Sequence, residues 1–209
     1  MEPLTLQVHL ATTDSVDADE LATIAARTFP MACPPSMASE NIASFIDSNL
    51  SATRFAEYLT DPQRAVLTAQ QDGRIVGYAM LIRGVDDDTD VQRAVELRPA
   101  AELSKLYLLP DFHGTGASTA LMQRTLAIAA EWGVRCVWLG VNQKNQRAQR
   151  FYTKSGFEIN GTRTFQVGAG REDDFVMVRE VRQPRRSAPK AVKWPAGTSF
   201  GTRRPASPR

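Results

Sequence analysis

Residues 106–122, LYLLPDFHGTGASTALM, restrict the fold of this chain more than any other stretch. An apolar run typical of a strand ends at Pro110, and a short corner with Gly114 and Gly116 leads into a helix-forming segment. The first turn of a helix has N–H groups without intrahelical partners and a partial positive charge. The segment therefore predicts a strand, a bare corner and a helix. The corner is either an ordinary turn or a site for an anionic group.

The elements around this corner alternate between strand and helix. Before it, RAVLTAQQDGRIVGYAML predicts two strands joined at Asp72 and Gly73. After it come a helix, the strand RCVWLGV, the helix NQRAQRFYTKS and the strands FEINGTRTF and DFVMVREV. A hairpin followed by two helical crossovers predicts an α/β (α+β) fold, in which helices flank a mixed, mostly antiparallel sheet.

The first 60 residues predict a strand and three helices. LTLQVHL alternates as a strand does, residues 17–29 and 39–50 have helical spacing, and ATRFAEYL predicts a third short helix. Between the first two helices lies FPMACPPSM, which we call the proline loop (residues 29–37). Its three prolines argue against both helix and central strand. The acidic connection RGVDDDTDVQRAVELRP leaves room for one helical turn.

Length and composition predict one soluble, cytoplasmic domain. A chain of 209 residues with 43% hydrophobic residues can bury one sizeable core. Neither a secretory signal pattern nor an apolar run long enough to span a membrane is present in the sequence. Cys33 and Cys136 stand far apart without metal-ligand spacing, so we expect reduced thiols and no metal site.

The charge is distributed unevenly along the chain. Residues 183–209 contain seven basic and no acidic residues, which leaves 18 basic and 23 acidic residues in the rest. This segment is rich in Pro, Ser and Arg and has no apolar periodicity, so we predict a disordered tail. Contact with nucleic acid is one interpretation. A solvated tail is the preferred one.

The glycine corner does not fit two familiar phosphate-binding loops. A P-loop needs Lys and then Ser or Thr after its second glycine, but Ala117 and Ser118 follow Gly116. A dinucleotide-binding loop needs a third glycine where Thr119 stands. The pattern that does fit has Gln or Arg, two free positions, Gly, one free position, and Gly or Ala. His113 and Ser118 depart from its usual ends.

This corner resembles the coenzyme-A pyrophosphate loop of the GCN5-related N-acetyltransferase (GNAT) superfamily. A second segment, VNQKNQRAQRFYTKSGF, is similar to another signature of that superfamily and stands at the expected distance downstream. It contains the matching residues Asn145, Ala148, Phe151, Tyr152, Gly156 and Phe157. The resemblance implies an acyl-CoA N-acyltransferase fold over residues 1–182, with a sheet that splays at its central strands. It also implies an acetyl-CoA cosubstrate, and it leaves open whether the chain forms a homodimer.

The resemblance assigns the coenzyme-binding residues. The diphosphate is expected at the corner, the pantetheine arm along the strand end and beside Asn145, and a backbone N–H of that strand end at the thioester oxygen. From the residues themselves, Asn145 is also a candidate helix N-cap. The predicted coenzyme-binding residues are Leu106, Tyr107, Leu108, His113, Gly114, Thr115, Gly116, Ala117, Ser118 and Asn145.

Two residues are predicted to be catalytic. Tyr152 matches the tyrosine that points at the coenzyme sulfur in the family, and a phenol can protonate the departing thiolate. Packing on the sheet is its alternative role. Glu102 begins ELSKLYLL, where a partly desolvated carboxylate would have a raised pKa and could deprotonate the amine. In the alternative, Glu102 faces solvent and a chain of water molecules deprotonates the amine.

The amine acceptor is not specified by the sequence. In this fold the proline loop walls the acceptor pocket, and it carries no carboxylate. The DDDTD run either attracts a cationic amine or is a solvated loop. A small-molecule amine and a protein amine both stay open. A non-catalytic acyl-CoA sensor or scaffold, with a nucleic-acid-binding tail, is the alternative to an N-acetyltransferase.

Overall fold

A computed structural model describes residues 6–167 and 170–181. The described residues form one seven-stranded sheet with helices on both faces, which confirms the predicted α/β class. The strands are β1 (Gln7–Leu10), β2 (Arg64–Gln71), β3 (Arg74–Arg83), β4 (Ala100–Leu108), β5 (Cys136–Asn142), β6 (Glu158–Val167) and β7 (Gly170–Glu180). The helices are α1 (Ala18–Thr28), α2 (Ser39–Asn49), α3 (Ala52–Thr60), α4 (Thr89–Ala94), α5 (Ala117–Glu131) and α6 (Gln146–Lys154).

The sheet has the order β1-β2-β3-β4-β5-β7-β6, and every neighbouring pair is antiparallel except β4 with β5. β4 and β5 are parallel because α5, which connects them, carries the chain back to the end of the sheet where β4 began. They pair only from Ala100 to Glu102 on β4. Beyond Glu102 the strands diverge, so the sheet opens at its centre as predicted.

Local signals determine several element ends. Asp72 and Gly73 have φ values of 54° and 74°, as the tight turn between β2 and β3 requires. Asp17 caps α1, since its carboxylate accepts from the Asp19 N–H at 2.8 Å. The acidic connection does contain one short helix, α4, which Asp88 caps.

The proline loop was predicted to contain no helix, and this is wrong at its start. Phe29–Ala32 forms one 3₁₀ turn with Pro30 in its first turn. Proline is tolerated there because the first N–H groups of a helix have no intrahelical partner. The rest of the loop is irregular. The predicted tail and its boundary at Arg182 lie outside the described residues.

Two main apolar cores lie on opposite faces of the sheet. One includes Leu121 and Ile128 of α5, and Phe151 and Tyr152 of α6 pack against it. The other brings α1, the proline loop and α3 onto Tyr78 and Met80. Both central strands are thereby held by helices that lie on either side of the opening.

A β-bulge in β4 changes which side chains share a face. Met80 of β3 lies opposite Lys105, while Leu81 lies opposite Leu103, so Ser104 is the extra residue. Glu102 lies opposite Ile82, two positions from Met80. Residues two apart in a strand point to the same face, so Glu102 and Lys105 share one face although they are three apart in sequence.

Candidate active site

The glycine corner closes β4 and opens α5. Gly116 is the N-cap of α5 with φ 91°, Gly114 has φ 82°, and the helix has no side-chain cap. A Cβ on either glycine would meet nothing within 4 Å, so open space lies over the corner. Non-glycine residues rarely adopt these positive φ values. The corner therefore presents backbone donors and the positive end of a 15-residue helix to whatever occupies this space.

His113 and Thr115 have local partners that the sequence did not indicate. The His113 Nε2 lies 3.1 Å from the Leu108 carbonyl, and the Thr115 hydroxyl donates to the Phe112 carbonyl at 2.7 Å. The His113 contact joins the corner to the end of β4, and the Thr115 contact lies within the corner. These side chains hold the corner in shape, and the donors directed to the open space come from the backbone of α5.

A cavity of about 430 Å³ runs from this corner to α6, and we call it the corner cavity. Eight of the ten predicted coenzyme-binding residues line it, namely Leu106, Tyr107, Leu108, His113, Gly114, Gly116, Ser118 and Asn145. Thr115 and Ala117 do not line it. Arg147 of α6 does, and the sequence reasoning missed it. A guanidinium beside the bare helix start adds positive charge where a diphosphate is expected.

A second cavity, also of about 430 Å³, lies where β4 and β5 diverge, and we call it the central cavity. The proline loop forms one wall through Phe29, Ala32, Cys33, Pro34 and Met37. Both cavities share six lining residues, namely Ala32, Leu106, Tyr107, Asn145, Ala148 and Tyr152. The two spaces therefore meet at the free end of β4 and the side chain of Tyr152.

Tyr152 lies on α6 at this junction. Its ring packs edge-on against Phe151 and Phe157, with centroids 5.5 and 5.9 Å apart, so packing fixes its direction. Burial raises the pKa of the Tyr152 phenol to about 12. The phenol therefore keeps its proton at neutral pH and can donate it to a thiolate.

Asn145 and the free end of β4 complete the junction. The Asn145 Oδ1 accepts from the Ala148 N–H at 3.0 Å, so this residue is the N-cap of α6. Its side chain also lines both cavities, so capping and ligand contact are compatible. Because β5 pairs with β4 only up to Glu102, the edge of Leu106–Leu108 toward β5 has no ladder partner among the described residues. An extended chain can pair with that edge.

Glu102 marks the point where β4 and β5 separate, and it lines the central cavity. Burial raises the pKa of its carboxyl group, while Arg163 is the strongest of the nearby cations that oppose the rise. The side chain touches the cavity but protein surrounds most of it. The carboxylate can thus act as a base, and its pKa depends on two opposing effects: desolvation raises it and the nearby cations lower it.

Arg163 and Asp174 belong to this site, and sequence reasoning missed both. The Arg163 Nε lies 3.6 Å from the Asp174 Oδ2, and the guanidinium lies 5.5 Å from the Trp138 ring centroid. Burial raises the pKa of Asp174 to about 6, although Arg163 opposes this. A Cβ on Gly140 would overlap the guanidinium. A glycine inside the strand RCVWLGV was the signal for this close approach.

Lys105 is another charged residue of the central cavity that the sequence did not predict to lie there. Its ammonium group lies 3.4 Å from the Ser104 hydroxyl and 5.6 Å from the Tyr58 ring centroid. Burial lowers the pKa of Lys105 to about 8, and Glu102 opposes this. The β4 bulge is what brings this lysine into the central cavity with Glu102.

The described residues contain neither a metal-binding cluster nor a membrane-spanning helix. Among them, no group of three or more His, Cys, Asp or Glu side chains is arranged to hold a metal ion. No helix in residues 6–167 or 170–181 is long and apolar enough to cross a membrane.

Comparison with known proteins identifies the family. The sequence matches the family model described as the acetyltransferase (GNAT) family over residues 19–157. The chain belongs to the GNAT family. Uncharacterized N-acetyltransferases of Mycobacterium bovis and Mycobacterium tuberculosis are each 70% identical over 165 residues, which cover 79% of this chain and 98% of each relative. The chain is thus related to enzymes that transfer an acyl group from coenzyme A to an amine.

The fold agrees with this assignment. The PaiA N-acetyltransferase of Thermoplasma acidophilum, solved in complex with coenzyme A, superimposes with a TM-score of 0.66 at 19% identity. The alignment covers 85% of this chain and 99% of that protein. At this identity the likeness concerns the GNAT fold. The splayed sheet and the two connected cavities are therefore parts of a GNAT domain.

Proposed function

We propose that this GNAT protein transfers an acetyl group from acetyl-CoA to an amine by direct attack. The observation that carries the proposal is the meeting of the two cavities at Tyr152 and the free end of β4. The coenzyme would lie in the corner cavity, with its diphosphate at Gly114–Gly116 and its pantetheine along Leu106–Leu108. The amine would enter through the central cavity, so that the thioester and the amine meet at the junction.

The proton transfers follow from the charges around this junction. Glu102 would take a proton from the ammonium, because an amine attacks only when unprotonated. A backbone N–H of β4 would stabilise the oxyanion of the tetrahedral intermediate. Tyr152 would protonate the coenzyme thiolate as the C–S bond breaks, and the second proton that the attacking nitrogen loses would restore the Tyr152 phenol. The amine nitrogen keeps the acetyl group, and coenzyme A leaves as a thiol.

Direct attack is favoured over an acyl-enzyme intermediate by the state of Cys33. This thiol lines the central cavity, but burial raises its pKa to about 11. Only the thiolate is an effective nucleophile, so Cys33 is a poor one at neutral pH. The acetyl group would thus pass to the amine in one transfer.

The activity is tested by thiol release from acetyl-CoA in the presence of pooled amines. We expect at least one pool to release coenzyme A above the hydrolysis background and to yield an N-acetylated product by mass. Tight acetyl-CoA binding without release in any pool would favour the sensor alternative. Absence of both binding and release would reject the site as a whole.

Glu102→Gln is expected to abolish or displace the acidic limb of kcat/KM. A base with a raised pKa becomes protonated as pH falls through that pKa, so the limb should lie above the usual glutamate range in the wild type. The measurement is kcat/KM against pH for one acceptor. An unchanged limb of unchanged height would mean that water or another group is the base.

Glu172→Gln is the matched control. This carboxylate also lines the central cavity, but hydrogen bonds from Asn142 and Lys144 lower its pKa. It is already ionised where Glu102 titrates, so its removal should leave the acidic limb in place. A shift of the limb with Glu172→Gln would show that general cavity charge, and not Glu102, controls it.

Removal of the basic tail is expected to leave catalysis intact. A chain that ends at Arg182 keeps the whole sheet and both cavities, so it should fold and retain its kcat/KM for a small amine. Circular dichroism and steady-state kinetics on both chain lengths test this. Loss of activity in a folded shortened chain would place residues 183–209 in the site.

A further inference from the structure

Some of the charged side chains that line the central cavity form ion pairs, and others do not. Arg64 is held by Asp61 at 2.9 Å, and Glu172 by Lys144 at 3.2 Å. Lys105 and Glu102 both line the cavity. Within the part of the chain that the structure describes, neither has an oppositely charged side chain within 4.0 Å.

The side chain of Lys105 is half-buried and lines the central cavity. Its ammonium group donates to the Ser104 hydroxyl and lies over the face of Tyr58. Glu102 is near enough to act on the Lys105 charge but does not form an ion pair with it, so an anion that enters the cavity and bonds to the ammonium would offset its desolvation. Lys105 is therefore suited to bind an anionic group of a ligand.

Glu102 and Lys105 face the same cavity from one strand, as the bulge at Ser104 dictates. An acceptor amine beside Glu102 thus has the Lys105 cation further along β4, on the side of Leu106, where the thioester would lie. A molecule whose amine and carboxylate are separated by one carbon atom matches this sequence of charges. A diamine of the same short spacing would place its second cation beside Lys105 and be repelled, whereas a longer diamine would reach Asp86, Glu172 or Asp174, which also line the cavity.

A further part of the cavity wall is apolar. Phe29 stacks on Phe45 with ring centroids 4.5 Å apart, and Met37, Leu50 and Tyr58 also line the space. The proline loop supplies most of this wall and no carboxylate. It would bury an apolar or aromatic side chain, and the cavity volume is within the range of small-molecule sites.

We propose that the acceptor is a free α-amino acid with an apolar or aromatic side chain, and that Lys105 binds its carboxylate. This inference rests on the proposed acetyltransferase activity and narrows its substrate class. A protein N-terminus has a neutral amide where the carboxylate would be. The α-carbonyl group of a lysine residue is also neutral and lies far from the ε-amine. Neither acceptor would therefore pair with Lys105.

The test compares free amino acids with their methyl esters and primary amides as acceptors. A hydrogen bond between charged groups contributes about 1.5–3 kcal/mol, so kcat/KM should be roughly ten- to a hundredfold higher for the acid than for its ester. The more basic amine of the free acid works against this preference. We therefore compare rates at equal concentrations of unprotonated amine.

Lys105→Met tests the assignment to this residue. The side chain keeps its length and loses its charge, so it should lose activity toward the acid while its activity toward the ester stays within about threefold. Lys105→Arg keeps the charge and should restore part of the preference for the acid. Lys154→Met, at the exposed end of α6, is the control and should retain the wild-type preference.

The outcomes separate this inference from the proposed function. Acetylation of esters, diamines or peptides as efficiently as of free amino acids would overturn the substrate class and leave the acetyltransferase standing. An equal loss for acid and ester in folded Lys105→Met would overturn the role of Lys105. If no class of amine led to thiol release, both the substrate class and the proposed acetyltransferase activity would be rejected. Should Lys105→Met fail to fold, the wild-type acid-to-ester ratio still decides the substrate class.

Discussion

Tyr152→Phe is expected to lower kcat by roughly ten- to a thousandfold, with little change in acetyl-CoA affinity. The substitution removes only the phenolic oxygen, and the ring contacts with Phe151 and Phe157 stay in place. Burial raises the pKa of this phenol to about 12, so the wild-type group is protonated throughout the working pH range. Single-turnover kinetics together with calorimetric titration of coenzyme A separate chemistry from binding.

The chemical role is tested by varying the leaving group. A thioester of a more acidic thiol needs less proton donation, so the deficit of Tyr152→Phe should shrink with such a thioester. Tyr58→Phe is the control within the central cavity, because its hydroxyl already donates to the Asn49 carbonyl at 3.1 Å. An unchanged kcat for Tyr152→Phe, with chemistry rate-limiting, would rule out the donor role.

Gly116→Asp is expected to weaken acetyl-CoA binding by at least a hundredfold. It puts a carboxylate into the open space over the start of α5, where the diphosphate is expected. Like charges repel most where the site is partly desolvated. Loss of two hydrogen bonds to a charged ligand costs about 3–6 kcal/mol, and about 1.4 kcal/mol corresponds to a factor of ten.

Gly116→Asn separates charge from backbone strain. The φ of 91° at Gly116 strains any side chain, and Asn and Asp tolerate positive φ better than other residues. The two variants are nearly equal in shape and differ in charge. Calorimetry on folded variants should therefore show much weaker coenzyme binding for Asp than for Asn. The penalty should be alike for coenzyme A and dephospho-coenzyme A, which share the diphosphate.

Near wild-type affinity in folded Gly116→Asp would mean that the glycine serves only the turn. Equal affinities of the Asp and Asn variants, both reduced, would mean that backbone strain and not charge disturbs the site. Either result would contradict the placement of the diphosphate at this corner.

Some features of the fold and of the site follow from local sequence. Asp72 and Gly73 determine a turn through their own φ preferences, and Asn145 caps α6 through a bond to the Ala148 N–H three residues on. The bare corner at Gly114 and Gly116 belongs to the same class, as does the helix start that follows it. Each depends on neighbours a few residues away, so sequence spacing was sufficient to predict them.

Other features depend on elements that lie far apart in the chain. Arg163 of β6 and Asp174 of β7 meet because those strands are antiparallel with these two residues in register. Arg147 reaches the corner cavity only after α6 packs on the sheet. No spacing rule links such residues, and the glycine at position 140 was the one local sign of the space that Arg163 occupies.

The sequence by itself determined the α/β class, the strand-corner-helix unit and the residues of the two family signatures. The class and the strand-corner-helix unit depend on periodicity, on glycine conformation and on helix capping, all of which act over a few residues, while the signature residues were identified by their resemblance to the GNAT superfamily. Only the tertiary structure decided that Glu102 and Lys105 face one cavity, because a single bulge at Ser104 reverses the alternation of β4. Whether a strand carries such an extra residue is settled by its pairing with the neighbouring strand, and a strand's own sequence does not contain that information.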